Sequence, residues 1–445
     1  MSAIRRLAVA AVAVASSVAA APGQGHGAAT GERSAPPLFD DLGSYHRAVT
    51  TASESVQAYF DQGLRLLFAF NLEEAQRSFE EAAARDPRCA ACWWGLGMSL
   101  SPHYNLPGLP ERTAAGARAV ARGLAVSSDK PEIERDLLAA LAKRLSDPAP
   151  ETPEGYAALD RAYAAAMEKL AKKYPDDLEV QAYYAEALMN LRPWRLYTLA
   201  GEPEPGTLEI VAQLEAVLAK SPDHPGANHM LIHALEASNN PEKAVAAAER
   251  IARTLPGAAH IVHMPAHIYM RVGRHADVVS SNQLAVKADE DYITQCRAQG
   301  IYPLGYYPHN IHFIWMGATA SGQRALALES ARRVAAAIPH EALGQVPILQ
   351  GFLVVPYWAM VRFGQWNDIL ADNGPRHETV VTKGAWRYAR AMAYTALDRL
   401  SDAEAELAEL QTLLADPSLK EQTTFSTNNG LAILRIAPEV IAGEI

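Results

Sequence analysis

The sequence predicts an all-α protein built of antiparallel helix hairpins, and three observations carry that reading. Ala, Leu and Glu recur throughout, and no Val-Ile-Thr run alternates with polar residues for long enough to form a sheet. Prolines close successive amphipathic stretches, with Pro222 and Pro256 set 34 residues apart. His229 and His233 recur at the same interval as His263 and His267, the period of a two-helix repeat. With 445 residues, 49% hydrophobic and 20% charged, the chain has material for a large core and too even a mixture for disorder.

At the start, Arg5 and Arg6 precede an apolar stretch, Leu7 to Ala20, that ends in small residues before Pro22. Residues 1–21 therefore read as a cleaved bacterial export signal, which places the mature protein in the periplasm or outside the cell. The apolar run falls short of the ~20 residues of a membrane span, so no stable span is expected after cleavage. Residues 22–38, rich in Gly, Ala, Ser and Pro, read as a flexible leader, and 39–445 as a single helical solenoid. Loss of Arg5 and Arg6 takes the formal charge from −10 to −12. An acidic chain without a Lys/Arg run is a poor partner for nucleic acid or anionic membrane.

Amphipathic helices are expected at 55–69 and 72–84, closed by Asp86-Pro87. Gly63, Ala75, Phe79, Ala82 and Pro87 set out a small-small-aromatic-small-proline pattern, and Trp93, Leu96 and Gly97 open the next unit as W-x-x-L-G. In these residues the chain resembles the tetratricopeptide repeat (TPR) family. Small residues let two helices approach while the aromatic ring fills the gap beneath them. Past the irregular stretch Pro102 to Pro110, helices are expected near 111–126, 131–146, 153–173, 178–190 and 207–219. Hairpins follow at 225–238 with 241–254 and at 259–272 with 275–289. After an insertion at 291–307, three more are expected at 308–321 with 323–337, 349–363 with 365–371, and 385–398 with 401–415, before a last helix near 430–441. Cys89 and Cys92 form a C-A-A-C beside Trp93-Trp94; with no second CxxC and no adjacent strand, the pair reads as structural.

The functional signal is histidine. Residues four apart share a helix side, so His229 with His233 and His263 with His267 each present two rings in one direction. His309 and His312 begin a further helix of the same kind, and His260 falls one position class earlier in its repeat. Helices packed at roughly 8–10 Å would bring rings from neighbouring repeats within reach of one ion at about 2 Å from each. Glu236, one turn past His233, is the single acidic candidate, either as a ligand or as an acceptor for a ring N–H. His103 would join only if the chain curled back on itself. Imidazole without thiolate suits copper, with zinc as the alternative, and six histidines allow for two ions. Tyr306, Tyr307 and Asn310 are candidate pocket residues, and Arg271 a candidate partner for an anionic substrate.

The chain carries no G-x-S-x-G, Walker loop, H-E-x-x-H or Rossmann fingerprint, so no catalytic residue is assigned and any turnover would run through the metal. The strings H-x-x-x-H-x-x-E at 229–236, H-M-P-x-H at 263–267 and Y-Y-P-H-N-x-H at 306–312 resemble those of exported bacterial TPR proteins. Members of that group usually continue through further helices beyond the segment resembling 420–445. The resemblance implies that the histidines line a concave inner groove. Two functions are then expected: a metal-binding protein, perhaps a copper-dependent oxidase or a metal carrier acting on a small molecule, or a non-catalytic scaffold that takes a peptide or protein partner in the groove.

Overall fold

The computed structural model describes residues 35–296, 302–344, 346–377, 379–421, 423–424 and 428–445. The export signal read at 1–21 and residues 22–34 of the leader lie outside them. The described chain is all-α in a TPR-like succession of helix hairpins; its strands are two pairs of residues, Thr423–Thr424 and Asn428–Asn429, joined antiparallel. It forms two compact units: residues 35–274 with Lys287–Tyr292, and His275–Val286 with the residues from Ile293 onward.

In the first unit, α1 (Glu54–Phe68) and α2 (Leu72–Arg85) form the opening hairpin. Ser53 and Asn71 cap them, their side-chain oxygens accepting from the N–H groups of Val56 and Glu74. α3 (Ala90–Ser99) packs next, and the fully buried Phe79 ring lies beneath both Gly63 of α1 and Gly95 of α3. A Cβ at Gly95 would meet Phe79 Cε1 at 2.3 Å, so glycine is required by the close approach. The expected small-aromatic packing is therefore present, and Gly97 serves the next contact, against Val120 and Leu141. Cys89 and Cys92 are joined in a disulfide at the start of α3, where Cys89 Sγ also accepts from Cys92 N.

The unit continues through α4 (Pro110–Ala125), α5 (Glu132–Leu141), α6 (Pro153–Lys173), α7 (Leu178–Met189), α8 (Thr207–Lys220), α9 (Pro225–Leu235) and α10 (Val245–Thr254). The repeat appears directly in the backbone at the helix ends that precede proline. Asp86 (φ −133°, ψ 88°), Ser221 (φ −137°, ψ 87°) and Leu255 (φ −139°, ψ 70°) end α2, α8 and α10 in one conformation. Proline clashes with a helical predecessor and enforces this extended exit.

The helix expected at 259–272 is split into α11 (Ala259–His263) and α12 (Pro265–Arg271). Pro265 has no N–H to donate, so the ladder breaks at Met264. In the second unit Pro356 and Pro438 act alike: 349–363 becomes Gln350–Leu353 and Val355–Arg362, and 430–441 becomes Gly430–Leu434 and Ala437–Glu444. The helix that starts at His275 runs on to Cys296, so the first six residues of the segment 291–307 are helical, Tyr302–Tyr306 form a π turn, and Tyr307 opens the next helix. The second unit's own core gathers Ile311, Ile314, Ala327, Ala331 and Val334 from the helices Tyr307–Ala320 and Arg324–Ala336, with Val355 and Ala359.

Candidate functional site

Five histidines of the first unit lie together. His229 and His233 stand on α9, His260 and His263 on α11, and His267 on α12. Ligand nitrogens of His229, His233 and His260 lie within 4.8 Å of one another, and the three residues are at most 2% exposed. Ring centroids of His229 are 4.9 Å from those of both His233 and His260, and His233 is 5.8 Å from His267. Despite the break at Pro265, His263 Nε2 and His267 Nε2 approach to 2.9 Å.

The hydrogen bonds fix which ring nitrogen carries the proton. Carboxylate and carbonyl oxygens only accept, so the nitrogen facing one is an N–H. Glu236, just past the end of α9, takes His233 Nδ1–H on Oε1 at 2.7 Å and His267 Nδ1–H on Oε2 at 2.6 Å. The Phe68 carbonyl takes His229 Nδ1–H at 2.6 Å. Three imidazoles are thereby set with lone pairs at Nε2, and the buried Nε2 atoms of His229 and His233 have no protein partner.

Burial disfavours added charge, and it holds His229, His260 and His103 well below the ordinary histidine pKa, with neighbouring imidazoles adding to the effect. Burial also lowers His233, opposed by the hydrogen bond and charge of Glu236. Glu236 itself is shifted down: burial pushes it up, but the charge of His267 and the hydrogen bonds from both histidines prevail. Burial thus keeps His229, His233 and His260 as neutral imidazoles beside one carboxylate.

His103 does reach the cluster, through Phe70. The Phe70 ring centroid lies 4.1 Å from His103, 4.5 Å from His229, 5.7 Å from His260 and 6.2 Å from His233. Tyr104 and Trp194 stand 5.3 and 5.5 Å from His233. Sequence reasoning missed these three aromatics, because they come from irregular connections that no repeat register aligns. Phe70 (φ 56°) and Trp194 (φ 58°) occupy the left-handed region, at a cost of ~1–3 kcal/mol for a residue with a side chain. Such strain marks places held by their surroundings.

Arg271 donates to the backbone carbonyls of Glu236 and Ser238, so its guanidinium closes the end of α9 and holds the Glu236 backbone. His309, His312, Tyr306, Tyr307 and Asn310 belong to the second unit. There His309 packs on Phe313, and His312 stacks on Trp315 and meets Phe352; burial lowers His312 to about 4. Tyr306 packs on Tyr302, Tyr307 Oη accepts from Arg333, and Asn310 is fully buried.

No family model and no curated protein matches the sequence. Among solved structures, the chain is similar to the human IFIT1 dimer with m7Gppp-AAAA, at 14% identity over 85% of this chain and 80% of that one, with a TM-score of 0.38. It is also similar to yeast Tom70, at 10% identity over 88% and 90% with a TM-score of 0.28, and to the TPR domain of P58(IPK), at 13% over 87% and 98% with a TM-score of 0.20. At such overlaps no ligand or partner of theirs transfers to this chain.

Proposed function

We propose that this protein is an exported, TPR-like metal-binding protein whose first unit holds transition metal on His229, His233, His260, His263 and His267, with copper favoured and zinc the alternative. One observation carries the reading: Glu236 and the Phe68 carbonyl fix His229, His233 and His267 as Nδ1–H tautomers, and the buried Nε2 lone pairs of His229 and His233, which have no protein partner, are left for a ligand. A ring N–H held by a carboxylate is the usual support of a metal-bound histidine. The 2.9 Å between His263 and His267 Nε2 is near the ~3.3 Å that separates two ligands of a tetrahedral ion with bonds of about 2.0 Å. The depressed pKa values of His229, His233 and His260 favour the same outcome, because protons do not compete with metal for these rings at neutral pH.

Five clustered imidazoles leave room for one ion or two. Bound copper would supply redox chemistry, and bound zinc a water acidified for hydrolysis. The residues of the chain bind, orient and exclude water: Glu236 orients two rings, while Phe70, Tyr104 and Trp194 wall the cluster. The test is equilibrium dialysis of the untagged protein against Cu²⁺ and Zn²⁺ beside Glu236→Gln. Loss of the shared carboxylate should weaken binding by ~10–100-fold; equal affinities in the two proteins would overturn the assignment.

The hairpin succession favours a second reading, a non-catalytic scaffold for a peptide or protein, since stacked repeats present extended surfaces. It expects wild-type protein without measurable metal affinity. Among the described residues no helix is long and apolar enough to cross a membrane.

A further inference from the structure

A second site lies in the first unit, formed by other residues than the histidine cluster and independent of its metal. A cavity of about 250 Å³ is bounded by Phe60, Trp94 and Leu137 on its apolar side and by Arg47, Thr50 and Glu134 on its polar side. That volume is a little under the ~300–1,000 Å³ of drug-sized ligand pockets and suits a small organic group.

Glu134 is the feature that gives the cavity a chemistry. It is 9% exposed, and its Oε1 accepts from both Thr50 N at 2.9 Å and Thr50 Oγ1 at 2.7 Å, so the carboxylate is held in place. Its other oxygen, Oε2, is buried and has no partner. A buried carboxylate oxygen without a donor carries a full desolvation cost, which a ligand donor would relieve. Arg47 does not fill that role. Its guanidinium is engaged by Asp177 and Glu179, which leaves Glu134 as the one carboxylate among the described residues that line the cavity.

We propose that this cavity binds a primary ammonium group carried on an apolar body, with the ammonium donating to Glu134 Oε2 and the body packed against Phe60, Trp94 and Leu137. Anions are disfavoured by the Glu134 carboxylate. Aromatic carbon beside a fixed carboxylate is the surrounding that an organic cation needs, since the rings add cation–π attraction to the charge-assisted bond. The same chemistry is offered by a free arylalkylamine and by the lysine side chain of a peptide.

Isothermal titration of the full chain with 2-phenylethylammonium, 2-phenylethanol, 3-phenylpropionate and acetyl-Ala-Lys-Ala-amide tests this. Wild-type protein should bind an ammonium probe saturably and reject the alcohol and the carboxylate. Glu134→Gln, which retains an acceptor for Thr50, should bind it at least ~10-fold more weakly. Ala91→Phe, which fills the cavity from its wall, should abolish binding. Equal dependence for the lysyl peptide assigns the natural ligand to a peptide; binding of the small amine alone assigns it to a free amine. No saturable binding of either ammonium probe, or equal binding of the neutral alcohol by wild-type protein, would overturn the proposal. Neither result bears on the histidine cluster, which Glu236→Gln tests separately.

Discussion

His224 offers a prediction whose size follows from its surroundings. Its buried ring packs against Tyr45 and Phe68, and its Nδ1 accepts from Ala227 N at the start of α9. That role requires an unprotonated Nδ1. Burial pulls the pKa from 6.5 to about 4, against the nearby carboxylates of Glu179 and Asp177 and with the help of Arg47. The folded pKa is depressed, so the unfolded chain takes the proton more readily. Stability is therefore complete above about 6.5, falls as the pH drops, and levels off near 4. Between pH 7.5 and 5.0 the loss from this one group is about 2 kcal/mol. His224→Asn keeps a capping acceptor and has no proton to gain. The assay is urea unfolding of both proteins, metal-free, at the two pH values. The other buried histidines contribute equally to each protein and cancel in the comparison. The variant should be less stable at pH 7.5 for want of ring packing, yet lose about 2 kcal/mol less on acidification. An identical pH dependence in the two proteins would refute the reasoning.

Other predictions concern packing and charge. Gly95→Ala forces a methyl group into the Phe79 ring, which is fully buried and cannot retreat, and should lower the urea-derived stability by ~1–3 kcal/mol. A variant as stable as wild type would show that the α1–α2–α3 contact is looser than described. Arg144 is fully buried, with Nη1 3.2 Å from both oxygens of Glu186 and Nε 3.3 Å from Asp160. Arg144→Met strands Glu186 and should cost ~3–5 kcal/mol, most of it recovered in Arg144→Met/Glu186→Leu; a double variant no better than the single one would contradict the pairing.

The hairpins were legible because their signals are local. The Asp86-Pro87 stop, Pro222 and the pairing of Gly63 with Phe79 act within one or two helices, so there the sequence pattern and the backbone agree to within a few residues. Interior prolines were less legible. Pro265 lies inside an apolar run with helical periodicity, and only the backbone shows that it ends one helix and begins another. For the cluster, the 34-residue interval identified His229, His233, His263 and His267, and helix spacing identified Glu236. The tautomers were not legible, since the Phe68 carbonyl lies 161 positions from His229. Nor were Phe70, Tyr104 and Trp194, whose approach depends on how irregular connections fold back. Arg271 resembled a ligand partner in the sequence, whereas its guanidinium closes a helix end.

The buried imidazoles of the first unit are proposed here as metal ligands. Elemental analysis of the protein, purified without a histidine tag, tests this beside a His263→Ala/His267→Ala variant whose helical spectrum is unchanged. One to two equivalents of copper or zinc are expected in the wild-type protein and a reduced content in the variant. Wild-type protein that stays metal-free after reconstitution with copper and with zinc, or a variant with undiminished stoichiometry, would contradict it.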